Sequence, residues 1–303
     1  MPPPRGTPNI LEGPGDYDVT STIHNDTYPA IDPLKADLSG KAVFITGGSK
    51  GLGRAMVLSF AKAGASYIAA GARSDMTELA KDVAAAAATA KRSPPKFLPI
   101  QLDVTDPQSV ENAAVAVKSE FGRCDVVVNN AGVLGRFGGI LQTDPQEWWQ
   151  VLGVNLRGPY LVSRAFLPLL LESELKALVH VTSVAAHLLN PTLSAYQTSK
   201  MALLKFSQLV HAEFGSKGLV TFAVHPGNCP TDIMGGPDGL SEHEKLIFVE
   251  TPEISADTIV YLTSEKRDWL GGRYINVTWD MPELIAMKDE IVQGDKLKVK
   301  FIY

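Results

Sequence analysis

The chain has 303 residues, 45% of them apolar, and 28 basic against 33 acidic side chains give a net charge of −5. This leaves ample apolar content for a sizeable core and no basic footprint for nucleic acid. No apolar run reaches the length of a membrane span, the first residues lack a secretory h-region, and Cys124 and Cys229 make no disulfide framework, so a cytoplasmic setting is expected.

Residues 1–38 are rich in Pro, Gly, Asp and Thr without a period and read as an arm, either disordered or laid across the body. Strands and helices then alternate. The predicted strands are Ala42–Thr46, Tyr67–Gly71, Phe97–Leu102, Val126–Asn129, Leu178–Thr182, Thr221–His225 and Tyr274–Val277. Their near-continuous apolar character points to a mostly parallel sheet covered on both faces, an α/β doubly wound fold.

After the first strand comes Gly47-Gly48-Ser49-Lys50-Gly51-Leu52-Gly53, then a helical stretch over 54–63. Strand, glycine turn and helix form the context in which backbone N–H groups and a helix dipole attract a pyrophosphate. At the end of the second strand no acid stands near Gly71. Arg73 and Lys50 are placed to flank a 2′-phosphate instead, or are solvated surface cations. Asp106-Pro107 and Asp144-Pro145 read as helix caps, with Glu147 in position to complete a capping box. Trp148-Trp149 reads as packing or a subunit contact.

Ser183 ends an apolar run at 177–183, at the tip of a buried strand. Tyr196 and Lys200, four apart, share one helix face. A nearby ammonium pulls a phenol's pKa down toward the range useful for acid–base catalysis. Further on, His225-Pro226-Gly227-Asn228-Cys229-Pro230-Thr231 forms a turn after the sixth strand. Cys229 has no base partner visible in sequence, which argues against a catalytic thiol. Residues 234–250 carry glycines and a short amphipathic helix, which fit a mobile cover; the cluster Leu246-Ile247-Phe248 suggests an apolar substrate or belongs to the core, and His187, Leu188 and Asn190 read as lining of the same pocket. The alternation over 296–301 reads as a strand with one lysine face.

Taken together, the glycine loop, Asn129-Asn130-Ala131-Gly132, Asn155, Ser183, Tyr196-x-x-x-Lys200 and Pro226-Gly227 resemble the short-chain dehydrogenase/reductase family over roughly residues 39–280. Within it, the chain looks most like the single-domain fungal-type reductases of secondary metabolism. The resemblance implies a seven-stranded Rossmann domain at 39–280 with the arm before it and a tail at 281–303. It implies catalytic roles for Asn155, Ser183, Tyr196 and Lys200. It also implies dinucleotide contacts from Gly47, Ser49, Lys50, Gly51, Leu52, Gly53, Arg73, Asp103, Val104, Asn130, Ala131, Gly132, Tyr196, Lys200, Pro226, Gly227, Cys229 and Thr231. Asn155 would bind a water that links Lys200 to solvent, Asp103 would meet the adenine or serve as a turn residue, and Cys229 would offer a backbone carbonyl.

The expected activity is NADP(H)-dependent, with NAD(H) the lesser alternative: reduction of a ketone or aldehyde, or oxidation of the matching secondary alcohol, on a small, apolar substrate. A homodimer or homotetramer formed through the helices at 158–175 and 195–215 is implied, with no metal. The alternatives are a non-redox isomerase, dehydratase or cyclase on the same fold, and a regulatory protein that holds NADP(H).

Overall fold

The computed structural model describes residues 17–301, so the first sixteen residues of the expected arm and the last two of the tail lie outside the described residues. Seven strands form one parallel sheet: β1 Ala42–Thr46, β2 Tyr67–Ala72, β3 Lys96–Gln101, β4 Val126–Asn129, β5 Ala177–Val181, β6 Val220–His225 and β7 Arg273–Asn276, in the order β3-β2-β1-β4-β5-β6-β7. Each predicted strand end is within one residue of the observed one. For six of the seven the reason is physical: a strand buried on both faces carries its signal in every residue, whereas β3, at the sheet edge, is half-exposed. In β1, Val43 and Ile45 pack into one core, whereas Ala42 and Phe44 pack into the other. Phe44 stacks on Phe166 at 4.2 Å.

The helices are α1 Gly51–Lys62, α2 Leu79–Thr89, α3 Pro107–Phe121, α4 Pro145–Leu152, α5 Gly158–Glu172, α6 Ser194–Phe214, α7 Pro252–Thr263, α8 Met281–Ala286 and α9 Lys288–Gln293. The first core holds α1, α2 and α7 against one sheet face, and the second holds α3, α5 and α6 against the other. Asp106 and Asp144 cap α3 and α4 through their carboxylates. The capping box at α4 stays half-formed, because Glu147 turns to Arg136 at 3.4 Å. No helix among the described residues is long and apolar enough to cross a membrane.

α1 begins three residues earlier than predicted, inside the glycine loop. Gly53 sits in its first turn, where a Cβ would stand 2.1 Å from the Gly47 carbonyl oxygen. Gly53→Ala therefore forces the loop open. We expect lost nucleotide binding and a lowered Tm, checked by cofactor titration and thermal melting; unchanged affinity would refute this.

Residues 17–38 lie across the body, with Ile23 bridging Trp279 in antiparallel sense. At the far end, the predicted strand over 296–301 is absent. Asp295 and Leu297 take left-handed backbone angles, φ 45° and 62°, which turn the chain instead of extending it. The tail still touches β7: Tyr274 N donates to the Leu297 carbonyl at 2.8 Å, and the Arg273 guanidinium bonds the Lys296 carbonyl. Lys298 and Lys300 pair with Asp295.

Candidate active site

The strand order reverses between β1 and β4, and a cleft of about 730 Å³ opens there, at the carboxyl ends of the strands. Every residue assigned above to dinucleotide contact borders it, as does Ser183. Asn155 lies behind the wall and is fully buried.

One half of the cleft is built on the glycine loop. Thr46 Oγ1 accepts hydrogen bonds from Asn130 N and Ala131 N, both at 3.0 Å. The Asn130 amide donates to the Thr46 and Gly47 carbonyls at 2.9 and 3.3 Å, so this side chain braces the loop. Lys50 stands at the N-cap of α1 with no side-chain cap, which leaves the first-turn N–H groups open to the cleft. Asp103 serves as a turn residue: its Oδ1 accepts from Thr105 N and Oγ1 at 2.9 and 2.7 Å, and the residue borders the cleft. Those bonds hold its carboxyl below the usual range, aided by the charge of Arg73.

At the rim, Lys50 Nζ pairs with Asp232 at 2.8 Å, both side chains exposed. Ser74 Oγ donates to Ser49 Oγ at 2.9 Å. A Cβ at Gly71 would meet Leu102 Cδ2 at 2.5 Å, so an acid does not fit at 71 unless Leu102 moves.

The other half of the cleft carries Ser183, Tyr196 and Lys200. Ser183 follows β5, its Oγ accepts from Ala185 N at 3.1 Å, and it borders the cleft beside Tyr196. One turn along α6, Lys200 Nζ donates to the Val181 carbonyl at 2.8 Å and lies 5.6 Å from the centre of the Tyr196 ring. Burial raises the phenol above its usual range, and the Ser183 hydroxyl opposes that shift. The expected lowering by Lys200 is not the dominant effect. The same burial pulls Lys200 from 10.5 to about 8, and its ammonium is turned to a carbonyl.

Asn155 sits in a π-helical turn, Gly153–Arg157, between α4 and α5. That turn accommodates one residue more than an α-helical turn. Its amide donates to the Val133 carbonyl at 2.8 Å and to Ser199 Oγ at 3.1 Å, and its oxygen accepts from Val133 N at 2.9 Å. The side chain thus pins the loop after β4 to α6.

The turn after β6 closes the cleft. Gly227 takes φ 80°, and Asn228 N donates to Glu250, which is 1% exposed, at 2.8 Å. The Cys229 carbonyl accepts from Thr231 N at 2.8 Å. The Cys229 thiol is buried and pushed well above its usual range by desolvation, then by Glu250 and Glu253, which makes it a poor nucleophile.

The segment expected as a mobile cover, 234–250, follows a 3-10 turn at Asp232–Met234 and holds two more, Pro237–Gly239 and Glu244–Leu246, in place of the expected amphipathic helix. Positive φ angles at Gly235 and Gly236 interrupt any longer helix. Ile247 and Phe248 border the cleft whereas Leu246 is exposed, so the apolar cluster divides. Asn190 borders the cleft, but His187 and Leu188 do not; His187 packs edge-on against Tyr274 at 4.5 Å.

Sequence reasoning gave no role to His225. It is buried, borders the cleft, and its Nδ1 has no hydrogen-bond partner; burial holds its pKa down to about 3. The available signal was a single imidazole ending an apolar strand directly before Pro-Gly.

Comparison with known proteins agrees with this geometry. The family profile described as short chain dehydrogenase matches residues 41–237. The "Short chain dehydrogenase tazN" of Aspergillus terreus is 60% identical over 96% of this chain, which spans 63% of that protein's length. The "Short chain dehydrogenase mpl6" of Monascus purpureus is 48% identical over 93% of this chain and 96% of its own. Among solved structures, a short-chain type dehydrogenase/reductase from Mycobacterium marinum superposes with a TM-score of 0.72 at 26% identity, covering 82% of this chain and 97% of that one. The chain belongs to the short-chain dehydrogenase/reductase family of oxidoreductases.

Proposed function

We propose that this protein is an NADP(H)-dependent oxidoreductase that reduces a ketone or aldehyde of a small apolar molecule, or oxidises the matching secondary alcohol, with Tyr196 as general acid and base. The observation that carries this reading is that Ser183, Tyr196 and Lys200, the last two one turn apart on α6, border the same cleft as an uncapped helix N-terminus. Val184, Leu193, Ile247 and Phe248 on the cleft wall support an apolar substrate.

The residues present fit a dinucleotide. The open first turn of α1 faces the cleft, with Thr231 at 3.6 Å from where a Gly51 Cβ would stand. When bound, the nicotinamide cofactor supplies or accepts the hydride. The chain does the rest. Ser183 holds the reacting oxygen, Tyr196 gives or takes its proton, and Lys200 orients the cofactor's ribose hydroxyls. His225 offers a neutral imidazole to a polar group of the substrate.

The crowding at Gly71 and the exposed Arg73 support a 2′-phosphate and hence NADP(H). For Arg73→Leu we expect NADPH affinity to fall about tenfold, the scale of one lost charge-assisted hydrogen bond, with NADH affinity little changed. Fluorescence titration of both cofactors checks this; tighter binding of NADH by the native protein would discard the 2′-phosphate argument. A carbonyl screen with NADPH then tests the activity, and product formed without cofactor consumption would indicate a non-redox reaction. We also infer a cytoplasmic enzyme of fungal-type secondary metabolism, assembled as a homodimer or homotetramer through α5 and α6, where Tyr160 and Leu209 are exposed.

A further inference from the structure

The arm lies before the segment matched by the family profile, which begins at residue 41. It nonetheless reaches the cleft's closing turn. The Asn25 carbonyl accepts from Thr251 N at 2.9 Å, and Asp26 Oδ1 accepts from Thr251 Oγ1 at 2.6 Å. Thr251 Oγ1 also accepts from Ile254 N, so this one hydroxyl both caps α7 and ties it to the arm. On its other side Thr251 meets the turn: its carbonyl accepts from Cys229 Sγ at 3.4 Å. The preceding residue, Glu250, holds Asn228 N, and its stem fills the space against Gly227, where an added Cβ would lie 3.0 Å away.

The arm is itself held at several points. His24 N donates to the Thr278 carbonyl at 2.8 Å, and His24 Nε2 meets Asp280 at 2.9 Å. Tyr28 stacks on His24 and accepts from Met281 N at 2.8 Å through its hydroxyl. Thr27 Oγ1 donates to Asp257, which also accepts from Ser59 of α1. The segment after β7 that receives the arm also holds the end of β6 from which the turn departs, since Val277 N donates to the His225 carbonyl at 3.2 Å.

We propose that arm residues 23–28 form a clamp that positions the turn at 226–229, with Asp26 and Thr251 as its positioning residues. Neither residue touches the reacting atoms; both act through Glu250 and Asn228. The part of this inference that concerns catalysis rests on the function proposed above, which puts the nicotinamide end of the cofactor against this turn. The hold on the turn itself does not.

The test therefore starts on the full chain without cofactor. Amide hydrogen exchange at Asn228 is compared between wild type, Asp26→Ala and Asp26→Asn. We expect exchange at Asn228 to quicken about tenfold in Asp26→Ala with the β4 amides unchanged, and to return in Asp26→Asn, which keeps an acceptor for Thr251. Unchanged exchange at Asn228 in Asp26→Ala overturns the clamp, as does an equal quickening throughout β4, which would mean general loosening. With NADPH and a carbonyl substrate, Asp26→Ala should lose about tenfold in kcat, while 2′,5′-ADP, which lacks the nicotinamide, binds as to wild type. Equal kcat in the two proteins refutes the catalytic part. If wild type binds no dinucleotide, the proposed function fails, and the exchange result alone still decides whether the arm holds the turn.

Discussion

Tyr196→Phe is expected to fold, bind cofactor and lose about 10³-fold in turnover, the scale of a removed general acid–base group. The substitution keeps the ring and takes away one oxygen. Ser183 is a poor substitute, because its Oγ already accepts from Ala185 N and a hydroxyl does not ionise near neutral pH. Burial raises the phenol, so it stays protonated at neutral pH, which is the form that gives a proton to a carbonyl oxygen. Reduction should then hold through neutral pH. Oxidation, which needs the phenolate, should gain as pH rises. Turnover by Tyr196→Phe at the wild-type rate, with cofactor binding intact, would refute the assignment.

The second large effect has two opposed signs. Lys200→Met should lose about 10²-fold or more in activity and gain stability. Lys200 is 4% exposed, and burial moves its pKa from 10.5 to about 8. By linkage that shift corresponds to about 3 kcal/mol of destabilisation below pH 8, where the folded protein must keep the buried charge. Between pH 8 and 10.5 the unfolded chain binds a proton at this site that the folded one lacks, so stability from this group rises with pH across that window. Methionine fills similar space without charge. It forfeits the bond to the Val181 carbonyl, worth about 1 kcal/mol, leaving a net gain of about 2 kcal/mol and a Tm higher by a few degrees at pH 6–7. Thermal melts at pH 6, 7 and 9 check it. A lower Tm for the variant at pH 6–7, or an unchanged pH slope, would refute the argument. A buried lysine kept at such a cost is what a functional site displays.

Much of this was legible in the chain. Six of the seven strands announced themselves because they are buried on both faces, β3 at the sheet edge by its apolar residues Phe97, Leu98 and Ile100, and the glycine loop because a close backbone approach admits no other residue at Gly53. Ser183, Tyr196 and Lys200 meet because a strand end and one helix face bring them together. What stayed hidden depends on partners distant in sequence. Nothing local to Asp26 indicates that it will find Thr251, 225 residues away, or that Glu250 will be buried under Gly227. The tail was misread for the opposite reason: Lys296, Leu297 and Lys298 alternate in polarity, but the alternation arises in a turning backbone that shares a single backbone–backbone hydrogen bond with β7. The direction of the Tyr196 shift was missed because sequence shows the neighbouring charge and not the burial of both groups.

The tail's contact with β7 bears on how copies of this protein avoid one another. A parallel sheet ends in two strands with unpaired backbone groups, which can template pairing with a second chain. At β3 the defence is local: Pro99 donates no hydrogen bond, and Lys96 and Gln101 are exposed. At β7 it is supplied from elsewhere, by Leu297 occupying the Tyr274 amide and by a lysine-rich end that a neighbouring edge would have to desolvate. Solubility on that side thus depends on a few residues that contribute little to the core, and loss of the last residues from 295 onward would expose an aggregation-prone border while leaving the cleft intact.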